Sequence, residues 1–421
     1  MRLLFISGLL AAITCLAQEP FERVLQLART RQKMAQSLTH LPDFTCLATM
    51  QRVVRGHRDR EFKALDTIRF EIAHQGHTEL WSWPGAAKFQ DTPFTSMVKN
   101  GTIGDGDFAL HAKAVFVDGS ANMKFIGPVD LEGRATLQWD FTIPVFASGW
   151  KITSSRRSAV VGASGSFWAD AENLDVVRLD IRATGLPFRF PVSAAEQSID
   201  YARMQIGSAS VLLPKAAALF MEDIDGEKRN ITEFSHCRQF SGSAEISFVE
   251  APPAGAVLAE PVKPTAVKTE VTLPARLRVR IKLMSSIDSQ SAIVGDPIQA
   301  TIERDIGERG KMLVPKGALI AGRLRRVEKH GAEFFVVGIE FDDIEFPGHH
   351  ARFSGSFKSM ESDVPAFQWF HKTSTTTEVE DKRITKGQVY RVEEVSGVGT
   401  FIMNGARFRL PAGTVMVWET Q

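Results

Sequence analysis

Residues 162–166 (Gly-Ala-Ser-Gly-Ser) come closest to a catalytic motif in this chain. A nucleophile elbow places a serine on a sharp strand-to-helix turn that is flanked by glycines, so that the serine hydroxyl can attack an acyl carbon. Here Ser166 occupies the position that needs glycine, and no helical pattern follows. We interpret the segment as a hairpin loop and predict no catalytic residue in it.

Two pairs of histidines have a spacing that would suit metal binding. His74 and His77 flank a glycine, and His349 and His350 are adjacent. A metal site needs three or four converging ligands, and no carboxylate or cysteine pair accompanies either pair. We interpret them as solvated turn histidines and predict no metal and no cofactor.

A third cluster, Asp223-Ile224-Asp225-Gly226, resembles a calcium-binding loop in miniature. The spacing of such a loop would require an acid or amide at position 221 and a glutamate at position 232, which are Met221 and Thr232 here. The cluster is therefore interpreted as a turn between two strands.

The overall charge excludes one large class of partner. The 421 residues contain 50 Lys and Arg against 49 Asp and Glu, a net charge of +1. Nucleic-acid-binding proteins usually carry a clear basic excess, so we predict no nucleic-acid partner. The sequence also lacks a glycine-rich phosphate loop, which argues against nucleotides.

The N-terminus has the three parts of a secretory signal peptide. Arg2 is followed by a mostly apolar run and then by Ala17, ahead of a polar stretch. We predict a signal peptide over residues 1–17 and export to the periplasm or outer envelope. Lipidation at Cys15 stays open as an alternative. No later apolar run is long enough to predict a transmembrane segment.

Removal of the signal would leave two cysteines, Cys46 and Cys237. An even number of thiols in an oxidising compartment favours a disulfide, and we predict that these two form one. The alternative is a pair of unrelated buried thiols.

The elements that position these residues are mainly strands. Residues 19–40 follow a helical period, and Phe21, Val24, Leu25 and Leu38 are among the apolar residues expected on its buried face. From Phe44 onward, short β-rich runs alternate with turns. The pattern predicts a mainly β fold in which an N-terminal helix packs on a curved antiparallel sheet, a half-barrel, over residues 18–249.

A second β domain is predicted after a change in composition. Residues 250–272 are rich in Pro, Ala and Val and predict a linker. Residues 273–421 predict a small β-barrel or sandwich whose strands follow Pro-Ala or Pro-Lys-Gly turns. Within it, residues 355–387 are polar and predict an excursion from the sheet.

Both parts resemble known families of the bacterial envelope. The first helix, the sequence Leu41-Pro42-Asp43-Phe44-Thr45-Cys46 and the turn-rich strands that follow resemble the lipoprotein-carrier (LolA-like) superfamily. That resemblance implies a curved sheet that wraps a helix and can hold acyl chains. Residues 291–300 and the turn Val314-Pro315-Lys316-Gly317 resemble the β-domain of TrbI-like envelope-channel proteins, which implies an interaction module.

Two surface features are candidate binding sites. Arg276, Arg278, Arg280 and Lys282 alternate along one strand and would meet an anionic partner, or would pair with the acids Glu340, Asp342, Asp343 and Glu345 on a neighbouring strand. The rings of Phe367, Trp369 and Phe370 interrupt the polar excursion and would form a contact patch or anchor the loop.

The sequence therefore favours an exported, non-catalytic cell-envelope protein. Its partner would be a lipid or acyl ligand, or another envelope protein. The alternatives are an envelope hydrolase with dispersed acid and base residues, and a purely structural spacer.

Overall fold

The computed structural model describes the following residues: 6–75, 78–86, 88–90, 94–98, 101–104, 110–154, 157–240, 268–308, 310–361, 367–368, 377–379, 390–392, 395 and 397–421. Side chains are described from residue 21 onward, and those of residues 361, 367–368, 377–379 and 390–392 are left out.

The described residues form four helices and two large sheets. The helices are α1 (Ile6–Thr39), α2 (Phe94–Met97), α3 (Leu110–Phe116) and α4 (Val145–Ser148). The strands before residue 240 are β1 (Phe44–Arg55), β2 (Lys63–Gln75), β3 (Thr78–Ser82), β4 (Asn122–Leu131), β5 (Arg134–Ile143), β6 (Lys151–Ser154), β7 (Arg157–Val160), β8 (Gly162–Asp170), β9 (Val176–Thr184), β10 (Val192–Ile206), β11 (Ala209–Asp223) and β12 (Gly226–Gln239).

Most of the later strands are short, and β19 and β20 are the longest of them. They are β13 (Thr269–Glu270), β14 (Arg278–Leu283), β15 (Ile287–Asp288), β16 (Pro297–Ile302), β17 (Ile306–Glu308), β18 (Lys311–Val314), β19 (Leu319–His330), β20 (Phe334–Phe346), β21 (His349–Arg352), β22 (Gly355–Glu361), β23 (Phe367–Gln368), β24 (Thr377–Val379), β25 (Tyr390–Val392), β26 (Val398–Asn404), β27 (Arg409–Leu410) and β28 (Val415–Thr420).

The first sheet is antiparallel, with the order β3-β2-β1-β12-β11-β10-β9-β8-β5-β4. Its strands alternate buried and exposed residues because successive side chains point to opposite faces of a sheet. Aromatic rings fill the buried side. Phe94 of α2 lies 4.2 Å from Phe70 between ring centroids, and Phe167 stacks on Trp139 at 5.2 Å. The mainly β fold with an N-terminal helix and a curved antiparallel sheet is confirmed.

The predicted disulfide joins neighbouring strands of this sheet. Cys46 of β1 is bonded to Cys237 of β12, with Cα atoms 4.1 Å apart and a sequence separation of 191. Thr45 pairs with Arg238, and this register places Cys46 opposite Cys237; a β-bulge shifts the register between Thr45 and Leu47. The prediction of a Cys46–Cys237 bond is confirmed.

The second sheet curls round its own core. Its order is β13-β21-β20-β19-β16-β14-β28-β22, and β26 also pairs with β20. The ring of Trp418 is fully buried and lies within 5.9 Å of Phe357 and 5.4 Å of Phe341. A Cβ at Gly399 would come within 2.3 Å of this ring, so glycine is required where β26 crosses it.

A short segment of the second part of the chain extends the first sheet. The backbone N–H of Arg69 donates to the carbonyl of Val294 at 2.7 Å, and the N–H of Val294 donates to Thr67 at 2.9 Å. Gly295 has φ +104°, and a Cβ there would come within 2.1 Å of the Arg69 carbonyl oxygen. Asp296 then pairs with the Arg69 guanidinium at 2.8 Å. Val294-Gly295-Asp296 thus forms a joint between the two sheets.

Side chains reinforce this joint. Arg323 donates to the carbonyls of Pro84 and Gly295, each at 2.7 Å, and the Arg325 guanidinium lies 4.9 Å from the centre of the Trp83 ring. The buried apolar residues of the two sheets accordingly form one connected cluster. The division into domains at residues 18–249 and 273–421 stays a prediction.

Several predicted boundaries are wrong. The excursion expected at residues 355–387 begins with β22, which pairs with β28 in the second sheet. The linker expected at residues 250–272 lies mostly outside the described residues, but Thr269 and Glu270 at its end already pair with β21. The segment 162–166 is the start of β8 and not a hairpin loop. A Cβ at Gly165 would lie 1.9 Å from the carbonyl oxygen of Asp180, so this glycine permits close approach of β9.

Candidate ligand groove

Helix α1 has two apolar faces, and only one of them is buried. Thr30 and Met34 have no more than 1% of their surface exposed, and Leu27 and Leu38 pack beside them. The other face carries Phe21, Val24, Leu25 and Ala28. At about 100° of rotation per residue, this face lies roughly 130° around the helix axis from the buried face. Phe21 is 71% exposed and Val24 68%. The expectation that these residues form the core face of the helix is wrong.

The turn between β8 and β9 holds the helix in place. The Lys33 ammonium contacts the Asp175 carboxylate at 2.7 Å and donates to the carbonyl of Asn173 at 2.5 Å. Arg203 of β10 donates to the same carboxylate at 2.6 and 2.8 Å. Asp175 is only 6% exposed, so these cations supply the hydrogen bonds that a buried carboxylate requires.

The turn itself is built round Asp170. Its carboxylate accepts backbone N–H groups from Glu172 at 3.0 Å and Asn173 at 2.9 Å, and it accepts Arg134 Nε at 2.7 Å. Leu174 is thereby held at φ +61°, a region that non-glycine residues rarely adopt. Such strained residues often occur at functional sites, where the surrounding hydrogen bonds fix them.

A groove of about 510 Å³ lies between the exposed face of α1 and this turn. Its apolar lining comes from Phe21, Leu25, Ala171 and Leu174. Its polar lining comes from Glu22, Gln26, Arg29 and Glu172. The volume falls within the range of small-molecule sites, and the mixed lining suits an amphipathic molecule.

The carboxylates behind the groove stay ionised at neutral pH. Burial of Asp175 opposes ionisation, but the hydrogen bonds from Arg203 and Lys33 outweigh it and lower the pKa of this carboxyl. Burial also opposes ionisation of Asp170, and there the N–H of Asn173, Arg134 and the N–H of Glu172 lower the pKa. The carboxylates next to the groove are therefore ionised and already paired with cations. Such groups are poor proton donors and acceptors, so the arrangement suits a binding surface better than a site of proton transfer.

The four residues of the predicted basic stripe are only partly exposed together on one surface. Arg278 and Lys282 are exposed on β14, Arg280 is half-buried, and Arg276 precedes the strand at φ +70°. Arg280 pairs with Glu303 at 2.5 Å. The acids expected as its neighbours lie on β20, which β16 and β19 separate from β14, so that expectation is wrong. Glu340, Asp343 and Glu345 instead pair with Arg325, His350 and Lys268. Binding of an anionic partner by the stripe stays a prediction.

The predicted aromatic patch is largely outside the described residues. Trp369 and Phe370 are not described, and the backbone of Phe367 pairs with Met403 of β26. This pairing attaches the start of the patch to the second sheet. Its role as a contact patch stays a prediction.

The histidines are not arranged as a metal site in the described part of the chain. His74 is 4% exposed on β2 and stacks on Phe44 at 5.5 Å, so it is a core residue and not a solvated one. His77 lies outside the described residues. His349 and His350 both belong to β21 and not to a turn. No group of three or more potential metal ligands occurs among the residues described.

The sequence did not reveal the groove, although one signal was present. The apolar residues of α1 cover more of its circumference than one sheet can bury, since Leu27 and Met34 lie on a different face from Phe21 and Leu25. Such a double face predicts a second contact.

None of the helices described has the length and apolar character needed to cross a membrane.

Comparisons with known proteins concern the fold. No protein-family model matches the sequence, and no curated protein does. Among solved structures, a DUF1329 family protein from Desulfovibrio piger is similar over 51% of this chain and 92% of its own, with 12% identity and a TM-score of 0.30.

Two further structures are similar to the same extent. A LolA superfamily protein from Nitrosomonas europaea covers 50% of this chain and 92% of its own, at 10% identity and a TM-score of 0.25. A domain described as an outer membrane lipoprotein-sorting protein, from Vibrio parahaemolyticus, covers 50% and 93%, at 12% identity and a TM-score of 0.25. The LolA-like and the TrbI-like resemblances of the sequence both stay predictions.

Proposed function

We propose that this chain is an exported, non-catalytic cell-envelope protein that binds the apolar part of an amphipathic ligand in the groove beside α1. The exposed side chains of Phe21 and Leu25 on α1 carry the proposal. Phe21 and Leu25 lie beside Leu174, so an acyl chain in the groove would remove three large side chains from water.

The polar lining supports a ligand with a headgroup. Arg29 can donate to a carboxylate or phosphate, and Glu22 and Glu172 can accept from hydroxyl or amine groups. The turn that carries Leu174 is fixed by Asp170, so the groove wall is formed before a ligand arrives. Such a preformed wall lowers the entropy cost of binding.

Two observations support export. The first 17 residues have the pattern of a signal peptide, and the Cys46–Cys237 bond needs an oxidising compartment. We propose the periplasm or the outer envelope as its location.

The test is a titration of the purified protein with dansyl-labelled undecanoic acid, followed by fluorescence. Leu25→Arg places a charge in the apolar lining, and we expect affinity to fall about tenfold or more. Val24→Arg is the matched control, because Val24 is exposed on the same helix but does not line the groove. The proposal fails if the unaltered protein shows no saturable binding, or if both variants bind equally well.

A further inference from the structure

The end of β8 and β9 opposite the groove carries a second surface, which we call the basic tip. It consists of residues 144–154, 157–160 and 185–191, which include α4, the β6–β7 hairpin and the loop between β9 and β10. Arg157 of the hairpin donates to the carbonyl of Arg189 at 2.6 Å, and a Cβ on Gly185 would lie 2.9 Å from the Val145 side chain. The three segments are therefore neighbours in space.

Large apolar side chains project from the tip. Phe146 is 91% exposed and Phe188 is 87% exposed, the two highest values among the large apolar residues described. Val160 on the hairpin is 50% exposed and Val145 is 41% exposed. Neighbouring apolar side chains left in water on one surface usually mark a contact with another apolar body.

The backbone holds Phe188 in this outward position. The N–H of Phe190 donates to the carbonyl of Pro187 at 3.0 Å and closes a tight turn. Arg189 occupies the third position of that turn at φ +59°, where glycine is normally preferred. The two prolines, Pro187 and Pro191, restrict the loop further. Phe188 is therefore displayed by a rigid turn.

A packed layer supports the tip from below. His111 of α3 lies 2.8 Å from the Oε1 atom of Gln197, and its ring meets the Trp150 ring edge-on at 4.9 Å. All three residues are buried. The exposed rings thus stand on a well-packed base.

The charge of the tip has one sign. The described residues of the tip include no Asp or Glu, and their charged residues are Lys151, Arg157 and Arg189. The Arg189 guanidinium lies 5.3 Å from the centre of the Phe188 ring, so positive charge and apolar surface are adjacent. Basic groups beside apolar side chains are the arrangement that binds the interface of a bilayer containing anionic lipids.

We propose that the basic tip docks on the surface of a bilayer with anionic headgroups, with Phe146 and Phe188 inserted among the lipids and Arg157 and Arg189 at headgroup level. Charge complementarity favours this occupant, because the tip offers no acid to a basic partner.

The test is flotation of the full protein with two kinds of vesicle. One contains phosphatidylethanolamine and phosphatidylglycerol, and the other contains phosphatidylcholine alone. We expect binding to the anionic vesicles only. That binding should weaken severalfold when the salt concentration is raised from roughly 50 mM to roughly 500 mM. The double variant Phe146→Ser with Phe188→Ser should bind about tenfold more weakly or worse.

Three variants separate the contributions. Arg157→Gln with Arg189→Gln should reduce binding and its dependence on salt together. Leu319→Ser and Met312→Ser remove exposed apolar side chains elsewhere, at 50% and 60% exposure, and should leave binding unchanged. Absence of binding to anionic vesicles, or equal losses in the tip and control variants, would overturn the proposal. Binding to an acidic protein but to neither vesicle would also overturn it.

Discussion

The two ends of strands β8 and β9 are built in opposite ways. At the groove end, acids and bases are paired, as in Asp170 with Arg134 and Asp175 with Lys33 and Arg203. At the tip end, the three segments of the basic tip carry bases and no acids. Each strand has nine residues, so the two surfaces are about 25 to 30 Å apart. One hairpin thus carries two surfaces that suit different partners.

The ends share one device. Leu174 lines the groove at φ +61° and Arg189 lies on the tip at φ +59°. Neither position is occupied by glycine, which would adopt this conformation with less strain. Each of these side chains makes a contact that glycine could not make: Leu174 lines the groove, and the Arg189 guanidinium lies 5.3 Å from the centre of the Phe188 ring. Four changes in the chain would break or sharpen this comparison.

The largest expected effect concerns the sheet that both ends share. Replacing Cys46 and Cys237 together by Ala frees a loop of 191 residues, and we expect the free energy of unfolding to fall by up to about 5 kcal/mol. Denaturant unfolding of the oxidised protein and of the variant measures this difference. Groove and tip should unfold in a single transition; two separate transitions would show that the ends belong to independent units.

Acid should affect the tip end first. Burial lowers the pKa of His111 from 6.5 to about 4, against the hydrogen bond to Gln197, so the unfolded chain binds this proton more readily. The free energy of unfolding should therefore fall as pH drops from 6.5 to about 4, by about 3 kcal/mol in total.

His111→Gln is the matched variant, and the difference between its pH profile and that of the unaltered protein isolates this residue. The pKa values of Asp170 and Asp175 are lowered in the folded protein, so these groups stabilise it at every pH above the ordinary aspartate pKa of 3.8. That stabilisation is lost only when the pH falls below 3.8, outside the range of the His111 effect. A profile that is the same in both proteins between pH 4 and 6.5 would contradict the prediction.

Removing polar contacts at the groove end should cost more than removing rings at the tip. Asp170→Ala leaves two backbone N–H groups and Arg134 without their acceptor, and we expect a loss of about 2 to 3 kcal/mol. Phe146→Ser and Phe188→Ser should each change the free energy of unfolding by less than about 0.5 kcal/mol. Thermal unfolding compares the three. A large loss in either tip variant would mean that its ring is structural.

The smallest effect concerns the two strained positions. Leu174→Gly and Arg189→Gly remove the strain of a left-handed backbone conformation, but they also raise the conformational entropy of the unfolded chain. The two effects oppose each other, so each variant should change the free energy of unfolding by no more than about 1 kcal/mol. Binding should separate them: Leu174→Gly weakens binding of the dansyl fatty acid, and Arg189→Gly weakens binding to vesicles. Loss of both activities in one variant would show that the two surfaces are coupled.

Local patterns predicted most of the fold. Alternation of apolar residues predicted the sheets, the break at Leu41-Pro42 agrees with the end of α1 at Thr39, and the cysteine count predicted the disulfide. Residues 162–166 were misjudged because glycine and serine are typical of turns. Their glycine instead allows two strands to approach closely, which depends on a partner strand that the local sequence does not contain.

The groove and the tip could not be predicted from the sequence because both depend on contacts between residues that are far apart in the chain. The exposed face of α1 is visible as a pattern, but its exposure depends on which face the sheet buries. The tip had a sequence signal, since Phe188-Arg189-Phe190 lies between two prolines in an acid-free stretch. Its meaning depends on the strand order, which brings this loop beside residues 144–154 and 157–160.

The pairing of Val294 with β2 has a consequence for solubility. Beyond the end of β3, the backbone groups of Thr67 and Arg69 would form an open strand edge, and Val294 occupies both of them. Open edges recruit strands from other molecules. A chain cut after residue 240 would lose this cover, and it should aggregate at concentrations where the whole chain stays dispersed.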